Sequence, residues 1–148
     1  MHALALAALC STASHAATVD GQAGMGVFSQ HCLVCHQAGA QGMDGLAPPL
    51  TRMPAVFAAS AAGRRHLLHT VINGMVGPIN VGGGSFDFKM PSFASLSSKD
   101  LAEVLNYLVL EVDKSTKAKP FDSAEVDAAR RPSMTPDQVW QERQRLVK

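Results

Sequence analysis

The chain has 148 residues, enough for one domain with its own core and too few for two of ordinary size. Its 13 basic and 12 acidic side chains leave a formal net charge of +1, without the positive excess that binding a polyanion demands, so nucleic acid is excluded as the main partner. Hydrophobic residues make up 47% of the sequence, yet no segment reaches the roughly 20 apolar residues that span a bilayer, and no transmembrane helix is expected.

Met1 to Ala17 is rich in Ala and Leu, lacks Lys and Arg, and ends in the small-residue run Ser14-His15-Ala16-Ala17. It reads as an export signal over residues 1–16, which predicts a periplasmic protein in a bacterium. Its removal takes away Cys10 and leaves Cys32 and Cys35 as the cysteines of the mature chain. From Val19 to Gln30 a short helix is expected, capped by Asp20 and turning Val27 and Phe28 inward. Gly21, Gly24 and Gly26 weaken it, which points to a close approach by another part of the backbone.

The run Cys32-Leu33-Val34-Cys35-His36 follows. C-x-x-C-H is the spacing at which two thiols attach a haem covalently while the next histidine ligates its iron. Three other readings compete. A thioredoxin-like redox pair needs a βαβ setting, which is missing here. A Cys₂His₂ zinc site could recruit His66 and His69, although two intervening residues are fewer than zinc fingers use. The third alternative is a chance match in a disulfide-forming pair.

Gln37 to Pro49 has no periodicity and reads as loop. Ser60 to Asn73 places Leu67, Leu68, Val71 and Ile72 at helical spacing, with Gly74 as the stop. Gly77 to Ser92 is expected to wrap as a loop, and no segment of the chain reads as a strand. Ser97 or Ser98 caps a strongly amphipathic helix through Leu101, Val104, Leu105, Leu108 and Val112. After Lys114 the composition turns to that of a linker, and two short helices follow, N-capped by Asp122 and Thr135. The predicted organisation is a haem domain over 17–112 and a linker with a helical extension over 113–148, packing back on the domain or docking on a partner.

An electron-transfer haem needs a ligand opposite His36, and a thioether sulfur raises the potential by favouring Fe(II). Met90, held by Pro91 in a loop between two helices, is the candidate, with Met75 as its main rival and Met25, Met43, Met53 and Met134 behind it. His31, His66 and His69 read as surface groups.

With Cys32–His36, Met90-Pro91-Ser92-Phe93 and Ala47-Pro48-Pro49-Leu50 all present, the chain resembles a class I cytochrome c over about residues 19–112. The resemblance implies an all-α fold of about three main helices around one haem c per chain. It also implies that Pro48, twelve residues past His36, accepts the Nδ1–H of the ligating histidine while Leu50 lines the haem. Gly24 and Phe28, eight and four positions before Cys32, are then expected to cross the last helix at Val104 and Tyr107. Arg52 and Asn73 are candidate partners of the haem propionates or of loop carbonyls, with simple solvation the competing reading for the arginine. A weaker similarity runs to cytochrome domains of periplasmic dehydrogenases.

The function so implied is electron transfer by one haem cycling between Fe(II) and Fe(III) with His36 and Met90 on the iron, and no catalysis. Its partners would be redox proteins, a dehydrogenase or reductase as donor and an oxidase or another cytochrome as acceptor. The alternatives are a subunit of a dehydrogenase or reductase complex and an open-site haem enzyme or gas sensor.

Overall fold

The structure is a computed structural model and describes residues 21–115 and 117–147. The expected signal segment and the Asp20 cap lie outside these residues. Seven α-helices dominate, in chain order α1 Gly21–His31, α2 Leu33–His36, α3 Met53–Ala58, α4 Ala61–Asn73, α5 Ser98–Asn106, α6 Ser123–Ala129 and α7 Pro136–Leu146. The fold is all-α, with one correction. Ile79–Val81 (β1) and Gly84–Phe86 (β2) pair antiparallel, Ile79 opposite Phe86, in the stretch expected to be loop. Gly82 and Gly83, at φ +59° and +84°, make the two-residue turn that joins them.

The helix starts follow the capping chemistry. The hydroxyls of Ser60, Ser97 and Thr135 and the carboxylate of Asp122 each accept from the backbone N–H three residues on. Ser97, not Ser98, is therefore the cap of α5. At the other end of α5 the chain widens into a π-helical segment, Tyr107–Val112.

Helices α1 and α5 cross at Gly24. A Cβ there would lie 2.3 Å from the Glu103 carbonyl oxygen and 2.7 Å from Tyr107 Cβ, so the crossing distance requires glycine. Beside it Phe28 meets Tyr107 at 5.5 Å between ring centroids and packs with Val104 and Leu108. A larger cluster joins α3, α4, α5 and the π-helical segment through Phe57, Leu68, Ile72, Leu101, Leu105 and Val109. Full burial of each such side chain stabilises the fold by about 1.5–3 kcal/mol.

The segment after Lys114 packs against this core. Phe121, Val126 and Ala129 are buried in the larger cluster. Arg64 of α4 grips the incoming chain, donating to the Lys119 and Pro120 carbonyls at 2.6 and 3.2 Å and pairing with Glu125 at 2.8 Å, its guanidinium over the Phe121 ring. The buried Asn106 amide donates to the Phe121 carbonyl at 3.0 Å and accepts its N–H at 2.7 Å. Asn106→Ala leaves both backbone groups without partners and is expected to lower stability by about 2–3 kcal/mol in urea unfolding, as two stranded buried groups should.

Trp140 of α7 reaches the stretch before β1, its indole N–H donating to the Pro78 carbonyl at 2.8 Å. Among the described residues no helix is long and apolar enough to cross a membrane.

Candidate functional site

Between α2, α4, the 77–91 segment and α7 lies a cleft with an empty volume of about 1140 Å³, counting its open mouth. Cys32, Cys35, His36, Pro48, Leu50 and Met90 all line it, so residues from three separate stretches of sequence converge on one space. The rest of the wall is largely apolar, with Phe57, Leu67, Ile79, Phe86 and Phe93 among it, while the exposed side chains of Val34 and Phe88 edge the opening.

The α1–α2 junction presents the thiols. Cys32 N–H bonds to the Phe28 carbonyl at 2.8 Å, and the N–H of His36 returns to the Cys32 carbonyl at 2.9 Å, so Cys35 and His36 both stand one turn after Cys32 on nearly continuous helix. Cys32 and Cys35 are not bonded to each other, which gives the disulfide alternative no support. Burial, with the neighbouring Cys35 adding to it, pushes the Cys32 thiol up to about 11, so it is neutral at physiological pH. The zinc alternative finds no support either: among the described residues no group of three or more His, Cys, Asp or Glu side chains is placed to hold a metal ion.

His36 is buried, and its Nδ1–H donates to the Pro48 carbonyl at 2.9 Å. That bond fixes the tautomer and leaves Nε2 as a lone-pair donor. Burial holds the imidazolium below its ordinary range, against the opposing pull of the Pro48 carbonyl, which keeps the ring neutral as a metal ligand must be.

Met90 is placed by Met75. The two exchange backbone hydrogen bonds, Met75 N–H to Met90 carbonyl at 3.1 Å and Met90 N–H to Met75 carbonyl at 2.9 Å, and both line the cleft. Gly74, at φ +75°, lets this pair form, since a Cβ there would meet the Met90 carbonyl oxygen at 2.5 Å. A second, smaller pocket adjoining the cleft is lined by His36, Cys32, Leu50 and Met90 together, and Met75 is not among its lining residues.

Two expectations are corrected. Arg52 and Asn73 do not line the cleft: Arg52 is exposed, and Asn73 is engaged by the His69 carbonyl and the Met134 N–H. His66 and His69 are not surface groups but 2% and 7% exposed, because α7 covers that face of α4. Glu142 accepts from His66 Nδ1 at 3.3 Å and from His69 Nδ1 at 3.0 Å.

Burial pushes His66 down to about 4, aided by Arg143 and His69 and opposed by Glu142. The unfolded chain then binds a proton between pH 6.5 and 4 that the folded chain refuses, so stability falls as pH falls through that window, by about 3 kcal/mol in all. His66→Gln is expected to flatten this stretch of the stability–pH curve measured by denaturant unfolding.

Phe57, His66 and Arg143 also line the cleft and were not singled out from the sequence as its lining. The available signal was the spacing Val139, Arg143, Leu146, which sets a charged residue in the inward stripe of α7.

The paired thiols, the oriented neutral imidazole, the thioether and the apolar wall together form a donor set and cavity that fit a covalently attached haem. Comparison with known proteins agrees. The family described as cytochrome c oxidase, cbb3-type, subunit III matches residues 19–108. A cytochrome c-552 of Thermus thermophilus is 36% identical over 126 residues, covering 83% of this chain and 95% of the relative. A second cytochrome c-552 of Thermus thermophilus is likewise 36% identical over 126 residues, at 83% of this chain and 84% of its own. With its helical fold, C-x-x-C-H turn and these likenesses, the chain belongs to this c-type cytochrome family, as a small monohaem class I cytochrome with a haem c cofactor and a part in electron transfer between redox partners.

Proposed function

We propose that this protein is a periplasmic carrier of single electrons whose haem is tethered by Cys32 and Cys35 and ligated by His36 and Met90. The observation that carries the reading is the His36 Nδ1 to Pro48 carbonyl bond of 2.9 Å in a cleft that Cys32, Cys35 and Met90 share. The haem supplies a one-electron iron couple. The protein's own residues do the rest: the thiols fix the group, Pro48 orients the imidazole, Met90 offers a soft sulfur that favours Fe(II), and Leu50, Leu67 and Phe93 keep water away. With His36 and Met90 both holding the iron, small molecules would be kept from it. The haem domain is assigned to 17–112 and the extension to 113–148, and residues 1–16 to an export signal. Val34 and Phe88, 77% and 61% exposed at the mouth, offer the small apolar rim on which a transient redox partner settles.

The match to an oxidase subunit favours a second reading, in which the protein works as a fixed subunit of a respiratory complex. Size-exclusion chromatography of the full-length holoprotein with detergent-solubilised membranes separates the two. Free elution at the size of a monomer, with rapid electron exchange with soluble acceptors, is expected; stable co-elution with a complex would establish the subunit. Carbon monoxide should leave the spectrum of the reduced wild type unchanged, and rapid binding would instead reveal an open iron site.

A further inference from the structure

Arg143 stands in the last turn of α7, 5% exposed, on the wall of the cleft that the haem is assigned to. Its stem is packed in the fold while its guanidinium opens onto the cleft, and a cation facing an apolar cavity is unfavourable once that cavity is filled unless an anion meets it. Among the described residues no carboxylate lies within ion-pair distance of Arg143, and no hydrogen-bond acceptor meets it. Its neighbour Glu142 is engaged elsewhere, by His66 and His69 and 3.7 Å from Arg65. His66 gives no compensating negative charge, being a neutral ring at physiological pH. The negative end of the α7 dipole offsets only a small part of the deficit.

The setting is built rather than incidental. The Phe57 ring lies beside the guanidinium, 5.9 Å from Cζ to the ring centroid, and Val139, one turn earlier and fully buried, fixes α7 in place. Glu142 ties the same turn of α7 to α4 through both histidines. The cation therefore faces an otherwise apolar cleft from a held position, and the ligand it awaits is an anion carried by whatever fills that cleft. A haem brings two such groups, its propionate carboxylates, and a planar guanidinium matches a carboxylate with two parallel N–H···O bonds.

We propose that Arg143 binds a haem propionate, so that the C-terminal helix closes the haem site from beyond the segment matched by the family, which ends at residue 108. The inference rests on the haem reading of the cleft. It couples the two halves of the chain: α7 is docked by Glu142 on α4 and by Arg143 on the cofactor, and loss of either loosens the other.

The test uses the reduced, diamagnetic wild-type holoprotein and the Arg143→Gln and Arg143→Lys variants. Nuclear Overhauser contacts between Arg143 guanidinium protons and propionate methylene protons are expected in the wild type. Removing the cation should favour the oxidised haem, so Arg143→Gln should shift the one-electron equilibrium with a reference couple about tenfold towards oxidised, or about 59 mV. Arg143→Lys should restore most of that shift, with the c-type spectrum intact throughout. An intact c-type spectrum with no such contacts in the wild type overturns the propionate role alone, whether or not the variants fold. Absence of covalent haem overturns the role together with the haem reading on which it stands.

Discussion

Met90→Ala is expected to lower the midpoint potential of the holoprotein by on the order of 0.1–0.3 V, within the ~0.8 V that axial ligation commands. The same variant should let carbon monoxide bind the reduced protein and should abolish the weak near-infrared iron–thioether band. Met75→Ala is expected to leave all three nearly as they are. The contrast is a demanding one, because Met75 and Met90 are bridge partners that line the same cleft. What separates them is the lining they share: Met90 also borders the second pocket with His36 and Leu50, and Met75 does not. Loss of the band in Met75→Ala with its retention in Met90→Ala would move the sixth ligand to Met75.

Gly24→Ala is expected to destabilise the protein by about 3 kcal/mol or more, at the upper end of what one extra methyl costs in a packed core. The added Cβ would fall 2.3 Å from a backbone oxygen, which cannot swing aside as a side chain can, so α1 and α5 must part. Since α1 leads directly into the Cys32–His36 turn, the separation should also reduce the yield of protein carrying haem. Gly26→Ala is the control. No atom lies within 4 Å of a Cβ there, and the helix interior should gain about 0.5–1 kcal/mol from the loss of backbone freedom in the unfolded chain. Denaturant unfolding of the two variants beside the wild type measures both, and equal midpoints would refute the close crossing.

The parts of the site that were legible in the sequence are those whose chemistry is local. Two thiols one helical turn apart with an imidazole beside the second are fixed by spacing alone, and the caps at Asp122 and Thr135, with that of α5 narrowed to Ser97 or Ser98, act on N–H groups only three residues away. The Gly24 crossing pairs distant helices, yet it leaves a glycine and an aromatic one turn apart, which is a local trace. The hairpin escaped because three-residue strands are too short to show an alternation, and the Gly82-Gly83 pair was its one signal. The histidines were misplaced for another reason. His66 meets Glu142 across 76 residues, and nothing near His66 tells that a helix from the end of the chain will cover it. Arg143 was obscured by the ordinary expectation that arginine faces water, which holds until the apolar spacing around it is followed through α7.

The central claim, one haem held covalently at Cys32 and Cys35, is tested most directly on holoprotein produced with a haem-attachment system, denatured and extracted with acidified organic solvent. The haem should remain with the chain, show the reduced spectrum of a doubly thioether-linked haem, and be found by mass spectrometry on the peptide containing Cys32–His36. Haem released into the solvent, or a peptide with both thiols free, would contradict the claim.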